Sequence, residues 1–281
     1  MDEKNLSIED KCRLAQKAAN YVLDCDKPIV VHIDGRSFSK LIKNKFEKPF
    51  DDDFIDMMNE TAKFVCESVQ GAKVAYVQSD EISLLIWKSS PDSETFFGGR
   101  LCKLQSIIAS LATSEFNRQF IRYTLFNRDD WSGVEIADLD QDLCDMKMAQ
   151  FDCKAWNVDT IEDAFLWLLY RNIDCVRNSK QQAAQSYLSN KELTNVNTDD
   201  QIKLLKEKTG IDWYKYPEHQ KYGRIIKKEM LVHNNIDTGE CYKRRHWIVT
   251  NGIDLTNNEN RRTLIDNILT DIKNNEQNLT K

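Results

Sequence analysis

Hydrophobic positions along this chain fall into two patterns, a helical spacing and short unbroken runs, and together they divide it into elements. The stretch KPIVVHID, Lys27–Asp34, is apolar at four of the five positions from Ile29 to Ile33 and reads as a buried strand. Asp51–Ser68 places Phe54, Met58, Ala62 and Val65 on one side of a helix, with Asp51–Asp53 suited to the positive end of its dipole. KVAYVQSDEISLLIW, Lys73–Trp87, reads as two strands joined at or near Ser79-Asp80-Glu81. Phe97–Phe120 is a strong helical pattern, with Phe97, Leu101, Leu104, Ile108 and Leu111 at three- and four-residue spacing. FDCKAWNV, Phe151–Val158, is a strand, and Asp159-x-x-Glu162 suits the cap of a long helix running to about Lys191. Residues 7–24 and the polar stretch from Asn257 read as helices, TNVNTDD as a loop and HWIVT as a late strand. No internal repeat is visible. The early order β-α-β-β-α-β resembles a ferredoxin-like unit. Hairpins among the strands favour α+β over a doubly wound sheet.

Two of these apolar runs carry carboxylates. The first strand ends on Asp34-Gly35-Arg36, and Asp80 and Glu81 interrupt the second run. Buried strands rarely hold carboxylates without a partner. Neighbouring strand ends of a β-α-β unit bring Asp34 and Asp80 together, and a hard divalent cation relieves their repulsion. Mg²⁺ takes one or two carboxylates plus phosphate oxygens, and a pair of such ions clamps the oxygens of phosphoryl or nucleotidyl transfer. The flanking GRSFSK, Gly35–Lys40, offers backbone N–H groups, hydroxyls and cations to a triphosphate. The alternative is structural: Asp-Gly as a turn and Ser-Asp-Glu as a hairpin tip. Adjacent strand residues face opposite ways, so a regular strand puts Glu81 behind the site, supporting its ligands.

Composition narrows the rest. The 281 residues suit one large or two small domains, and 9 Gly and 4 Pro exclude collagen-like or Pro-rich chains. No apolar run reaches the roughly 20 residues of a membrane span. The acidic N-terminus fits neither a signal nor a transit peptide, so the cytosol is the expected compartment, with mitochondria second. Eight isolated cysteines without a CxxC, and four histidines, read as reduced buried thiols rather than a zinc site. A net charge of −6 argues against a nonspecific nucleic-acid coat and leaves room for local basic tracks. Candidates are Lys40/Lys43/Lys45/Lys48, RIIKK at Arg224–Lys228 and KRR at Lys243–Arg245.

HIDGRSFSK, EKPFDDDF, YVQSDEIS, FGGRLCKLQS, FDCKAW and YRNIDCVRNS…AQSYLSNKEL occur in the order seen in the tRNA-His guanylyltransferase family. Over roughly Val30–Leu193 the chain resembles that family. The resemblance implies a polymerase-palm core, an antiparallel sheet with flanking helices, two Mg²⁺ ions, and ATP, GTP and other nucleoside triphosphates as substrates. It implies that Asp34, Asp80 and Glu81 are catalytic and that Asp34, the Gly35 carbonyl and Asp80 bind metal. Asp34, Gly35, Arg36, Ser37, Phe38, Ser39, Ser79 and Asp80 would line the triphosphate, with Lys48 and Asp51 on the family's KPxD element and Arg100 and Lys103 as its cation pair. Lys154, Arg171, Asp174, Arg177, Asn178 and Lys191 are the implied RNA contacts. Residues 1–155 would form the catalytic core and 156–281 a mainly helical region for tRNA contact and assembly, as a homotetramer.

Departures refine the expectation. Ser39 stands where the family often has His, Cys153-Lys154 where it has Gly-Arg, and Val176-Arg177-Asn178-Ser179 where tRNA-His enzymes have His-Ile-Asn-Asn. A lysine cannot reproduce an arginine's bidentate phosphate clamp. Arg171, Asp174, Arg177 or Asn178, and Gln181 share one helical stripe, part of which intrahelical ion pairing explains. The pattern is most similar to the bacterial-type guanylyltransferase-like branch, which repairs truncated tRNA 5′ ends by templated 3′-to-5′ addition. The alternatives are a tRNA-His enzyme adding one 5′ G, a nucleotidyl cyclase and an RNA-binding protein with a degenerate site.

Overall fold

The computed structural model describes residues 7–18, 20–43, 45–88, 92–126, 146–234, 239 and 241–278. In chain order the elements are α1 (Ile8–Ala18), β1 (Ile29–Gly35), α2 (Phe38–Leu41), α3 (Asp52–Ser68), β2 (Ala72–Gln78), β3 (Glu81–Ile86), α4 (Leu101–Phe126) and β4 (Phe151–Asn157). They continue with α5 (Ile161–Tyr187), α6 (Asn190–Leu193), α7 (Thr198–Thr209), α8 (Glu218–Lys221), β5 (Arg224–Asn234), β6 (Cys241–Asn251) and α9 (Asn258–Asn278). The strands form a six-stranded sheet in the order β4-β1-β3-β2-β5-β6, antiparallel at every pairing. Its first four strands keep the ferredoxin-like order, as expected.

Alternation along β1 separates the two sides of the sheet. Ile29, Val31 and Ile33 pack toward α3 and α4, with Met58, Ala62, Val65, Leu104, Ile108 and Phe116. Val30 packs on the other side with Tyr76, Leu85, Phe165 and Leu168, and α9 adds Leu264 and Ile268. A smaller cluster at the far end of α5 joins Ala183 and Ala184 to Leu205 and Trp213.

Several boundaries differ from the sequence reading. The first helix ends at Ala18, because Leu23 and Leu101 take backbone bonds that tie residues 21–23 to the start of α4. Helix α4 begins at Leu101, after a turn at Phe96–Gly99 in which Phe97 and Gly98 have φ 52° and 58°. The cap of α5 is one residue later than expected, a reciprocal Thr160–Asp163 box. TNVNTDD is only half loop, since Asn197 caps α7 through the Asp200 amide. RIIKK is not a solvated basic face: Arg224, Ile225 and Ile226 are buried in β5. The sheet also runs past the expected division after residue 155, because β5 and β6 belong to it. Of the seven described cysteines, all free, only Cys66 and Cys175 are buried; Cys144 lies outside the described residues.

Candidate active site

The side of β1 that begins with Val30 continues through His32 to Asp34. Antiparallel register sets Asp34 opposite Glu81 on β3 and Asp152 on β4. Directly opposed residues share a face, so Glu81 lies beside Asp34. The expectation that alternation would turn Glu81 away from Asp80's site fails for a local reason. The β2–β3 hairpin closes through Ser79-Asp80, with Gln78 and Glu81 as its last pair, so Asp80 is a loop residue and strand alternation does not govern it.

That loop is strained. Ser79 has φ 44°, in the left-handed region, at the first position of a two-residue loop where glycine is usual. Such backbone costs about 1–3 kcal/mol and is concentrated at functional sites. Gly35 N donates to the Asp80 carbonyl at 3.1 Å. A Cβ on Gly35 would fall 2.4 Å from the Phe38 ring and 2.8 Å from Asp80 Oδ2. Glycine at 35 is therefore what lets the Asp80 carboxylate lie against the end of β1. After it, Ser37 at φ 57° turns the chain into α2 and drops Phe38 into the core beside Phe116 and Phe151.

The electrostatics follow from the crowding. Burial, and next the Glu81 carboxylate, raise the Asp34 pKa above the usual range. Burial pushes Asp80 up to about 6, the Ser79 hydroxyl opposing, with Asp34 and Glu81 adding repulsion. Glu81 is held from behind by Gln78 Nε2 at 2.9 Å and by an ion pair with Arg171. Arg171 also reaches Asp174 at 3.1 Å. His32 lies edge-on to Trp167 with ring centroids 5.4 Å apart.

Two observations fit a divalent cation here. Asp80 occupies a cradle that a Cβ on Gly35 would fill, and one ligand atom from each of His32, Asp34 and Glu81 lies within 4.8 Å of the others. The residues present therefore suit the hard ion expected from the sequence, with carboxylates crowded enough to gain from it.

A cavity of about 200 Å³ opens beside this cluster. Its walls are the hairpin residues Gln78–Glu81, an apolar side of Ile42, Phe46, Phe50 and Phe54, the α5 residues Cys175, Asn178, Ser179 and Gln182, and the buried Arg224. Lys48 and Asp51 line it as well. Asp51 also caps α3, accepting from Phe54 N at 3.0 Å and Glu47 N at 2.8 Å.

The other expected residues divide. Arg36 and Ser39 are exposed beside the cluster, Arg36 bonding Gln150 at 3.2 Å. Lys154 is exposed on β4 opposite His32, on the carboxylate side of the sheet. Arg177 is exposed and paired with Asp174, and Asn178 bonds Asp174 at 3.2 Å. Lys191 is exposed on α6. One residue is corrected. Arg171 is not a surface RNA contact: it is 8% exposed and neutralises Glu81 and Asp174 from inside. Arg100 and Lys103 sit together at the start of α4, Arg100 Nε donating to the Phe97 carbonyl at 3.1 Å and Lys103 lying over the Phe97 ring. Further along α4, Thr113 Oγ1 accepts a hydrogen bond from Phe151 N at 3.2 Å, next to the Asp34 end of β1. Sequence reasoning missed Gln78, His32 and Arg224. Two-residue alternation from Asp34 points to His32; nothing local marks Gln78 or Arg224.

A palm-like antiparallel sheet, with acidic side chains converging from one strand end and the adjoining hairpin beside a cavity, defines a nucleotidyltransferase core. The chain belongs to the tRNA-His guanylyltransferase family, whose model matches residues 11–159. Uncharacterized protein R259 of Acanthamoeba polyphaga mimivirus is 29% identical over 242 residues, 83% of this chain and 80% of that protein. A bacterial tRNA(His) guanylyltransferase (Thg1)-like protein solved with ATP superposes with a TM-score of 0.73 at 28% identity, over 89% of this chain and 94% of its own. A bacterial structure of the same description, with GTP, gives 0.70 at 25%, over 92% and 99%.

Proposed function

We propose that this protein adds nucleotides to the 5′ end of truncated tRNA in the 3′-to-5′ direction, choosing each by a template base. The observation that carries the reading is the convergence of Asp34, Asp80 and Glu81 at the end of β1, with Asp80 and Glu81 lining the cavity. ATP and GTP in the two bacterial neighbours support a nucleotide there. The departure at Val176–Ser179 from His-Ile-Asn-Asn favours general repair over the tRNA-His reaction.

The reaction begins with a 5′-monophosphorylated tRNA, whose phosphate attacks the α-phosphorus of ATP and releases pyrophosphate. The 3′-hydroxyl of the incoming nucleoside triphosphate then attacks the activated 5′ phosphorus and AMP leaves. Asp34, the Gly35 carbonyl and Asp80 would hold Mg²⁺, which when bound neutralises the triphosphate and acidifies the attacking hydroxyl. Asp34 and Asp80 set the ligand geometry from two separate elements. Arg171 and Gln78 fix Glu81 so that it does not swing into solvent. The apolar side of the cavity, Phe46, Phe50 and Phe54, suits a nucleobase. Lys154 and Arg177 start a basic track for the tRNA backbone, read by shape and charge. Exposed Leu166, Tyr170 and Ile173 on α5 suit assembly into the expected tetramer. No described helix is long and apolar enough to cross a membrane.

The test supplies a 5′-monophosphate tRNA lacking its first nucleotide, with ATP, Mg²⁺ and each nucleoside triphosphate in turn, while the opposing base is varied. Addition that follows the opposing base is the expected result. Addition of G alone, and only to tRNA-His, would replace this reading with the tRNA-His reaction. Cyclic nucleotide made without RNA would replace it with a cyclase.

A further inference from the structure

The outer part of β5 and β6 has no task in the reaction as derived. Strand β5 pairs with β2 only over Arg224–Lys227. From Lys228 to Asn234 its one strand neighbour is β6, through Cys241–Trp247. A two-stranded ribbon is marginally stable in water by itself, and this one leaves Met230, Leu231, Val232 and Tyr242 exposed. Apolar burial therefore does little to hold its outer strands together.

Alternation and register put Glu229, Leu231 and His233 of β5 on one side of the ribbon with Tyr242, Arg244 and His246 of β6. On that side the two histidines meet. Their ring centroids are 4.7 Å apart, and Nε2 faces Nε2 at 2.7 Å. The register partner of His246 is Glu229, four residues from His233, so the ribbon curls toward this side to bring the rings together. Tyr242 stacks on His233, with centroids 5.3 Å and planes 21° apart, and fixes its ring. Glu229, opposite His246, is partly exposed and pairs with Lys227 at 2.8 Å.

We propose that His233 and His246 are a chelating pair for Zn²⁺, which ties the two strands of the outer ribbon together, with Glu229 and water filling the remaining positions. Two imidazole nitrogens aimed at each other can share one hydrogen or one divalent ion, and neutral imidazole is a ligand well suited to zinc. A tetrahedral zinc with Zn–N of about 2.0–2.1 Å sets its nitrogens about 3.3 Å apart, so the two half-buried rings accept it by opening roughly 0.6 Å. Cys241, a softer ligand, alternates to the other side of the ribbon and stays out of the site. Closely spaced ligands are the sequence mark of a zinc site. Ligands 13 residues apart that meet across two strands leave no such mark.

The full-length protein is titrated with Zn²⁺ by calorimetry in excess Mg²⁺, which keeps the acidic cluster at the end of β1 occupied. Amide hydrogen exchange is followed with and without Zn²⁺. The expected result is one Zn²⁺ bound per chain, with exchange slowed over residues 228–234 and 241–247 and unchanged in β1 and β3. His233→Asn and His246→Asn are each expected to weaken Zn²⁺ binding at least about tenfold, the least that losing even a supporting partner costs a metal site, and to abolish the added protection. Circular dichroism confirms that the variants are folded, and exchange in the wild type decides the matter should one of them not fold. A wild type that binds no Zn²⁺, Zn²⁺ affinity unchanged in both variants, or protection outside the ribbon alone overturns the proposal. None of these readings involves RNA, so the failure of this site and the failure of the proposed function are separate results.

Discussion

The two sides of strand β1 show what the fold keeps for stability and what it gives up for chemistry. Toward α3 and α4 the strand presents Ile29, Val31 and Ile33, all at most 1% exposed and packed into one apolar cluster. Toward α5 it presents Val30, His32 and Asp34, and burial fades toward the end. Residues one step apart in the chain thus serve opposite ends. The apolar side needs nothing from outside. The polar side is crowded with like charge, which Arg171 offsets at Glu81 and Lys154 offsets at Asp34. A cation suits the second side and would be useless on the first.

The widest separation between the two sides lies in activity. Asp34→Ala is expected to reduce 5′-end extension by at least about a thousandfold, because positioning and charge neutralisation supply most of such catalysis. The same change leaves thermal stability at neutral pH unchanged or higher, since it removes repulsion from Glu81. A stability loss comparable to that of a core variant would break the comparison.

At Arg171 a charged group of the polar side carries the fold. Arg171→Met strands Glu81 without its cation, while Asp174 keeps Arg177, and is expected to cost about 3–5 kcal/mol in urea unfolding. A loss below about 1 kcal/mol would place Arg171 among surface contacts after all. On the apolar side, Ile33→Ala is expected to cost about 2–5 kcal/mol through lost burial and a cavity, with extension per folded molecule preserved at low temperature.

The smallest effect is a pH dependence. Asp80 titrates at about 6 in the fold against 3.8 unfolded. The stability linked to that shift is fully present below about pH 3.8 and is lost as pH rises through about 6. Measured in a chelator, Asp80→Asn is therefore expected to raise Tm at pH 8 by roughly 2–4 °C and to have little effect near pH 4. Equal shifts at both pH values would mean that Asp80 is not the titrating group.

Most of the framework was legible because it is local. Helical spacing located α3, α4 and α5, and apolar runs located β1 to β4. The places that escaped are those where tertiary bonds override local pattern. Residues 21–23 look helical and instead bond the start of α4. Arg224 heads a basic-looking run and is buried against Asn59, its Nε 2.9 Å from Oδ1. At the site, Asp34 and Asp80 stood out as carboxylates at the ends of apolar runs. Glu81 was harder, because its direction depends on which residues form the hairpin loop. The pairing of Arg171 with Glu81 joins residues 90 apart in the chain, and no spacing rule connects them.

The most direct measurement compares the wild type, Asp34→Ala and Ile33→Ala for extension of a 5′-monophosphate tRNA lacking its first nucleotide, each assayed at equal folded concentration. The expected result is templated addition by the wild type and by Ile33→Ala, and none by Asp34→Ala. Extension by Asp34→Ala at more than a tenth of the wild-type rate, or none by the wild type, would contradict the assignment of this side of β1 as a nucleotidyl-transfer site.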